Sequence, residues 1–399
     1  MDKEERTRET SPAKDVVWVQ EDGVAEPEGK TLLRDVLNFD HSWEANNALR
    51  QRLFEPDGWT LLVRTALSMR LFPAVAESVN QRNLFPKLPS KSKQTGLHQR
   101  DMDLHGNEFQ YRRSALATVL NEVVAALNSA GIEPLLLKGA RYVWLDTNPV
   151  RTMRDLDFLI PSEDAKRAWE AVRSLGFAPD GPAVVRRRRH HMPPLFRGGT
   201  IGWIELHRRA GNPYAEQFLS TSEIWKGSTT AHNTSGTVKL PKRAHHVWHG
   251  LVHHQFGHSG FARGRLELKG LYEFATSIGD MSPAEWTDLL ELASRTPLAW
   301  TSFELWCAAC QSALKAQVPP NASGVADWVS QEAVALANIW LQRTESEEAT
   351  SGSYPGYKEL LGLVPSCERN RLSQTAPRRI WLPAKVNAAW MLAPKLFRS

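Results

Sequence analysis

Residues 151–160 read RTMRDLDFLI, and this stretch constrains the fold more than any other part of the sequence. Side chains two residues apart in a β-strand share a face. Asp155 and Asp157 therefore point one way. Leu156 and Phe158 point the other way, into a core. Two carboxylates on one face repel each other unless water, a basic partner or a cation offsets their charge, so the polar face of this strand needs a counter-ion.

Helical and extended patterns alternate on both sides of this strand. Apolar residues recur at helical spacing in RRSALATVLNEVVAALNSAG, and EPLLLKGA is typical of a short strand that runs into a Lys-Gly turn. The segment SEDAKRAWEAVRSLG predicts a helix, and TIGWIELHRR predicts a third strand. This order of elements indicates a small α/β or α+β domain over residues 111–240.

The segments outside this domain differ from it in composition. Residues 1–30 are charged and poor in aromatic side chains, which predicts a disordered tail. Residues 31–110 predict a helical N-terminal region with a polar connector at 86–105, and residues 241–399 predict a helical C-terminal domain. We therefore expect one mixed domain between two helical regions.

The composition bears on the cellular setting and the partners. The 399 residues carry a formal net charge of +5, which mildly favours an anionic partner. The three cysteines are few, and Cys307 and Cys310 lie in a helical pattern, so we expect buried thiols in a reducing compartment. No apolar signal segment or membrane span stands out in the sequence, and we expect a cytoplasmic protein.

A third carboxylate lies on the predicted strand WIELH. Trp203, Glu205 and His207 share one face of this strand. If the strand lies beside the one that carries Asp155 and Asp157, Glu205 joins the pair. Three carboxylates can hold two Mg²⁺ ions about 3.5–4 Å apart, the arrangement used for in-line phosphoryl or nucleotidyl transfer. A D-x-D pair alone is a weak signal, because such pairs are frequent at solvated strand ends.

Basic residues flank the two aspartates. Lys138 and the backbone of Gly139 suit a phosphate. Arg151 and Arg154 would screen the charge of a triphosphate. The arginine run at 186–189 has two interpretations: it binds an anion, or it is a solvated loop or edge strand.

Five pieces of the sequence occur in an order that is more specific than any one of them. They are LLLKGA, RTMRDLDFLI, a following helix that ends in LGF, HHMPPL and WIELH. This set resembles the uncharacterised nucleotidyltransferase family, a branch of the DNA polymerase β-like nucleotidyltransferase superfamily, over about residues 115–275. The resemblance implies an α+β fold: a mixed β-sheet with packed helices, flanked by helical N- and C-terminal regions.

The resemblance also implies roles for individual residues. The catalytic and metal-binding residues would be Asp155, Asp157 and Glu205. The turn that holds the triphosphate would comprise Lys138, Gly139 and Ala140. Ala140 stands where the superfamily usually carries a serine whose hydroxyl contacts a phosphate. By the same resemblance, His190 and His191 belong to an HH-x-P element that would line the acceptor pocket.

The remaining histidines have open interpretations. His207 would either orient a substrate or be a hydrogen-bonded structural histidine. His245, His249 and His253 are four residues apart on one predicted helix, which suits either a zinc site or a packed helix. In the second case His249 or His253 would face the active site.

These observations predict a nucleotidyltransferase that depends on Mg²⁺ or Mn²⁺. It would move a nucleoside monophosphate, AMP from ATP, onto a hydroxyl of an unidentified small-molecule or protein acceptor. An RNA end is a less favoured acceptor, because the sequence contains no recognised RNA-binding module. One alternative is a non-catalytic nucleotide- or partner-binding module on the same fold. Another, weaker alternative is a basic nucleic-acid-binding protein, whose binding would fall steeply with salt.

Overall fold

A computed structural model describes residues 27–55, 57–85, 93–147, 152–179, 190–258, 260–318 and 331–345. Several predictions lie wholly or partly outside these segments: the tail before residue 27, the connector at 86–92, Arg151, the arginine run at 186–189 and the end of the C-terminal domain at 346–399. The described residues form two compact units that divide between His253 and His254. The domain boundaries at residues 30, 110 and 240 stay predictions.

The first helices pack around apolar residues and one buried arginine. They are α1 (Pro27–Leu37), α2 (Trp43–Phe54), α3 (Gly58–Ser68) and α4 (Phe72–Gln81). Leu33 on α1 and Leu62 on α3 are fully buried. Arg82 follows α4 and is 3% exposed; its guanidinium donates to the carbonyl oxygens of Asp35 and Val36 at 3.1 and 3.0 Å. Arg82 thereby satisfies carbonyl groups that the end of α1 leaves without a helical partner.

Helix α5 (Lys93–Ser129) runs through the segment whose composition predicts a connector. Helices α3 and α4 contact its polar first half. The indole Nε1 of Trp59 donates to Asp101 at 3.0 Å, and the rings of Phe72 and His105 lie 5.1 Å apart. These tertiary contacts support a helix that its composition alone does not predict. The connector prediction is therefore wrong for residues 93–105.

The mixed domain is built on one sheet, which has seven strands within the described residues. The strands are β1 (Leu135–Leu137), β2 (Asp155–Leu159), β3 (Ala178–Pro179), β4 (Leu195–Phe196), β5 (Trp203–His207), β6 (Ser228–Asn233) and β7 (Gly236–Pro241). Their spatial order is β3-β4-β5-β2-β1-β7-β6. Strand β2 pairs in parallel with β5 and antiparallel with β1. This mixed sheet and its helices confirm the predicted α+β fold.

Strands β2 and β5 each separate a core face from a polar face. The helices of this unit that follow α5 are α6 (Lys138–Trp144), α7 (Ala165–Ser174), α8 (Thr221–Lys226) and α9 (Arg243–Val252). Leu156 and Phe158 on β2 and Ile204 and Leu206 on β5 are at most 1% exposed, and they pack in one cluster with apolar residues of α5 and α7. Each such side chain stabilises the fold by about 1.5–3 kcal/mol. The core faces predicted from the alternation are confirmed.

Gly202 lies just before β5, where the chain passes close to the backbone of Arg154, the residue before β2. Its φ is +96°, and a Cβ atom there would lie 2.6 Å from Leu116 Cδ2 and 3.3 Å from the carbonyl oxygen of Arg154. We expect Gly202→Ala to lower the free energy of unfolding by about 1–3 kcal/mol, because strain and overpacking add. Urea denaturation measures this. Gly198→Ala is the matched control, since a Cβ atom at Gly198 meets nothing within 4 Å. Equal stability of the two variants would contradict the prediction.

The second unit is helical within its described residues. Its helices are α10 (Gly260–Arg263), α11 (Leu268–Gly279), α12 (Pro283–Ala293), α13 (Pro297–Leu314) and α14 (Gln331–Glu345). Ser282 and Glu285 form a capping box at the start of α12. Cys307 and Cys310 on α13 are fully buried, and burial raises the pKa of both thiols, as expected for packed side chains. Across the described segments, every helix is too short or too polar to cross a membrane.

Candidate active site

The pairing of three strands brings the predicted site residues together. Asp157 on β2 lies directly beside Glu205 on the parallel strand β5. On its other side, Asp157 is opposite Leu137, the last residue of β1. Lys138, the next residue along the chain, therefore starts α6 next to Asp157. The site is thus fixed by strand register rather than by loops.

The carboxylate of Asp157 is the centre of the cluster and is 1% exposed. Its Oδ1 accepts two hydrogen bonds, from Lys138 Nζ at 2.8 Å and from His207 Nε2 at 2.8 Å. Its Oδ2 is buried and has no hydrogen-bond partner among the described residues. The negative charge of Asp157 is therefore offset by basic neighbours, but only one of its two carboxylate oxygens accepts hydrogen bonds.

His207 links the two carboxylates. Its Nε2 lies 2.8 Å from Asp157 Oδ1 and 3.4 Å from Glu205 Oε2, so this nitrogen carries a proton. Its Nδ1 is buried and without a partner in the part of the chain that the structure describes. The sequence predicts His207 as a pocket residue, and the structure puts it inside the carboxylate cluster. The shared strand face of Glu205 and His207 was the signal for this position.

The charges in this cluster stabilise one another. Burial opposes ionisation of Asp157, but Lys138 and His207 outweigh burial and hold the pKa of Asp157 below its ordinary value. Burial also opposes the positive charge on Lys138 and His207, but the neighbouring carboxylates outweigh it and raise both pKa values. The pKa of Glu205 is lowered despite burial, chiefly through its hydrogen bond to His207.

Asp155 and the basic residues occupy more exposed positions. Asp155 is half-buried at the start of β2, opposite Trp203 and on the same face of the strand as Asp157. Arg154 precedes it and is exposed, and Trp203 donates a backbone hydrogen bond to its carbonyl oxygen at 2.9 Å. Arg151 is outside the described residues. Of the three predicted carboxylates, Asp157 and Glu205 therefore lie side by side within the cluster, whereas Asp155 lies at its more exposed edge.

The turn between β1 and α6 is compact. Lys138 has a φ of +45°, a left-handed conformation that is uncommon for a residue with a side chain. A Cβ atom at Gly139 would lie 2.3 Å from the sulfur of Met153, so a larger residue would displace that side chain. Ala140 is fully buried. This turn therefore holds the Lys138 side chain directly over β2.

The paired histidines lie against the end of β5. The ring of His207 is 5.5 Å from that of His190 and 5.7 Å from that of His191. The carbonyl oxygen of His190 accepts a hydrogen bond from the backbone N–H of Arg208 at 2.7 Å. Burial, together with the nearby positive charges of His207 and Lys138, lowers the pKa of His190 to about 3. His190 is therefore a neutral imidazole next to the carboxylates at neutral pH.

Helix α9 contributes a buried histidine near this cluster. His249 is 4% exposed, and its Nε2 donates to the carbonyl oxygen of Ala210 at 2.9 Å. Burial lowers the pKa of His249 to about 4, and the positive charges of Lys138 and His207 act in the same direction. A second histidine of α9, His246, contacts the hydroxyl of Tyr142 on α6 through Nε2 at 3.2 Å. These contacts favour a packed helix that borders the site.

The described residues contain one group of at least three candidate metal ligands, and α9 takes no part in it. The group is Asp157, Glu205 and His207, whose ligand atoms lie within 4.8 Å of one another. Two carboxylates and one imidazole suit a divalent cation, and the unsatisfied Oδ2 of Asp157 fits a further ligand. The cluster therefore fits a metal ion. His207 completes the closest set of candidate ligands, and coordination through Nε2 would require that nitrogen to release the proton it donates to Asp157. Asp155, half-buried on the same face of β2, is outside that set.

Comparison with known proteins identifies a family. A family model described as an uncharacterised nucleotidyltransferase matches residues 55–311. No curated protein matches the chain. The match extends from the N-terminal helices across the entire sheet and into the second unit. Because it spans more than half of the 399 residues and includes the whole carboxylate cluster, the chain belongs to the uncharacterised nucleotidyltransferase family, an enzyme family of the transferase class.

Proposed function

We propose that this protein transfers a nucleoside monophosphate, AMP from ATP, to a hydroxyl of a small-molecule or protein acceptor. The observation that carries the proposal is the pairing of Asp157 with Glu205 on adjacent parallel strands, with the ammonium of Lys138 on Asp157. A buried carboxylate pair with a basic neighbour suits a divalent cation and an anionic substrate together.

The carboxylates would hold the cation. Asp157 and Glu205, with Asp155 from the same face of β2, provide the oxygen ligands that Mg²⁺ prefers. His207 would add an imidazole nitrogen once Nε2 releases its proton, and Mn²⁺ accepts such a ligand more readily than Mg²⁺. When bound, such a cation supplies charge neutralisation for the triphosphate and lowers the pKa of a coordinated hydroxyl.

The basic residues would hold the phosphates. Lys138 would donate to a phosphate oxygen as a point charge, and backbone N–H groups of the turn that it begins would add neutral donors. Arg151 and Arg154 would screen the remaining triphosphate charge from the start of β2. Ala140 provides no hydroxyl, so phosphate binding at this turn would depend on Lys138 and on backbone N–H groups.

The histidine pair would orient the acceptor. With a pKa of about 3, His190 is a weak proton acceptor, but its neutral ring can accept a hydrogen bond from a hydroxyl. His191 would line the same pocket. The acceptor oxygen would attack the α-phosphorus of ATP, and the bond from that phosphorus to the bridging oxygen would break. Pyrophosphate would leave with the bonding electrons, and the hydroxyl proton would pass to solvent.

Calorimetry with each of the four nucleoside triphosphates, with and without MgCl₂, tests the proposal. We expect ATP binding that requires Mg²⁺ and that weakens about tenfold or more in Glu205→Gln, because a cation ligand is lost. Glu163→Gln, which changes an exposed carboxylate near α7, is the control and should bind like the wild type. Equal ATP binding by Glu205→Gln would contradict a metal-dependent site.

One observation favours the non-catalytic alternative: the alanine at position 140 in place of a hydroxyl side chain. A binding module would retain ATP without releasing pyrophosphate when acceptors are supplied. A nucleic-acid-binding protein would instead bind in a way that falls steeply with salt and is insensitive to Glu205→Gln. Pyrophosphate release from ATP in the presence of candidate acceptors, measured with a coupled assay, separates these outcomes.

A further inference from the structure

The key carboxylate of the site already has a cationic partner within the chain. We propose that Lys138 competes with the divalent cation for Asp157 and moves to the nucleotide phosphates on binding, so that the cation is retained only together with the nucleotide. This inference rests on the proposed function and deepens it. It makes Lys138 a positioning residue that sets the order of binding.

The ion pair is short and buried. Lys138 Nζ lies 2.8 Å from Asp157 Oδ1, and the two side chains are 17% and 1% exposed. The same Oδ1 also accepts from His207 Nε2 at 2.8 Å, so this oxygen has two donors. A divalent cation beside Asp157 would therefore stand close to a buried ammonium, where repulsion is weakly screened. The negative charge of a triphosphate would remove this conflict by giving Lys138 a new partner.

The strand register fixes where the lysine starts. Leu137 is opposite Asp157, and the chain turns at Lys138 with a φ of +45°. A non-glycine residue keeps this costly conformation when the surrounding structure over-determines it, and such strain clusters at functional sites. The four-carbon stem of lysine can redirect the ammonium without a change in the backbone. The backbone of Lys138 is thus fixed, while its ammonium group can move. An exchange between the Asp157 carboxylate and a nucleotide phosphate requires both properties.

The other oxygen of Asp157 supports the same exchange. Oδ2 is buried and has no hydrogen-bond partner among the described residues, whereas Oδ1 has two. Leaving a buried carboxylate oxygen unpaired is costly, and a further ligand would offset that cost. Asp157 therefore has the capacity for a cation, while the ammonium of Lys138 opposes one in the absence of nucleotide.

The test compares two titrations whose results should change in opposite directions. In the first, MnCl₂ alone is titrated into the wild type and Lys138→Met; in the second, ATP is titrated at saturating MgCl₂. We expect Lys138→Met to bind Mn²⁺ alone about tenfold more tightly or better, and to bind ATP about tenfold more weakly or worse. A purely structural lysine would weaken both. Unchanged or weaker binding of Mn²⁺ alone by Lys138→Met would overturn the inference.

Two control variants and one replacement variant complete the test. Lys138→Arg keeps the positive charge and should bind Mn²⁺ alone as weakly as the wild type. Lys166→Met removes an exposed lysine on α7 and should change neither titration. If Lys138→Met folds poorly, Lys138→Gln is used, and the rise in Tm on adding MnCl₂ should exceed that of the wild type. Failure of the wild type to bind ATP with Mg²⁺ would overturn the proposed function as well, whereas normal ATP binding with unchanged Mn²⁺ affinity would overturn the lysine exchange alone.

Discussion

Replacing Asp157 with Asn is expected to abolish Mg²⁺-dependent ATP binding and to lower the stability of the metal-free protein by about 3–5 kcal/mol. The stability loss follows from the ion pair with Lys138, because removing one partner leaves a buried charge uncompensated. The binding loss follows from the place of Asp157 at the centre of the candidate metal ligands. Urea denaturation measures the first effect, and calorimetry with ATP and MgCl₂ measures the second.

A double variant separates the two roles of Asp157. In Asp157→Asn/Lys138→Met both charges of the buried pair are gone, so most of the lost stability should return. ATP binding should stay absent, because the carboxylate is still missing. Glu163→Gln should match the wild type in both measurements. An Asp157→Asn protein that is as stable as the wild type would show that the ion pair with Lys138 contributes little in solution.

The sequence predicts that the aspartate pair needs a counter-ion but does not decide which one. Strand alternation is a local property, and it correctly places Asp157 and Glu205 on the polar faces of β2 and β5. The counter-ion depends on which strand lies on the other side of β2, which is a long-range property. Because β1 takes that place and ends opposite Asp157, Lys138 becomes the basic partner. The sequence assigns this lysine only to phosphate binding.

Two parts of the fold show why local patterns have limits. The first half of α5 has the composition of a loop, and its helical state depends on packing against Trp59 and Phe72 from earlier helices. The β6–β7 hairpin is not predicted from the sequence, and the reason is different: β6 is polar and largely exposed, and the alternation in β7 is limited to Val238 and Leu240. Its turn does carry a local signal, since Asn233 Oδ1 accepts from the backbone N–H groups of Ser235 and Gly236.

Acidification is expected to destabilise the protein between about pH 6.5 and pH 4, through histidines that are buried in the neutral form. His249 has a pKa of about 4 in the folded protein, whereas an unfolded histidine has a pKa of about 6.5. Its contribution to stability is complete above pH 6.5. As the pH falls below 6.5, His249 becomes protonated in the unfolded chain but stays neutral in the folded protein. Protonation therefore favours the unfolded state, and stability is lost. A histidine with a raised pKa, such as His207, has the opposite effect: its contribution to stability is lost as the pH rises above 6.5.

The change His249→Gln separates the contribution of one histidine to this pH dependence from the contributions of the others. Glutamine can still donate to the carbonyl oxygen of Ala210 but does not titrate. Between pH 7 and pH 4.5 the wild type should lose about 2–3 kcal/mol more stability than His249→Gln, from the pKa difference of the single imidazole. Urea denaturation at four pH values measures this difference.

His41, His98 and His190 shift in the same direction as His249, so the variant should keep part of the acid sensitivity. His232→Gln, which changes an exposed histidine on β6, is the control and should follow the wild type across the range. Parallel pH profiles for His249→Gln and the wild type would mean that the pKa of His249 is the same in the folded protein as in the unfolded chain. Its ring could then not be buried in the way the structure describes.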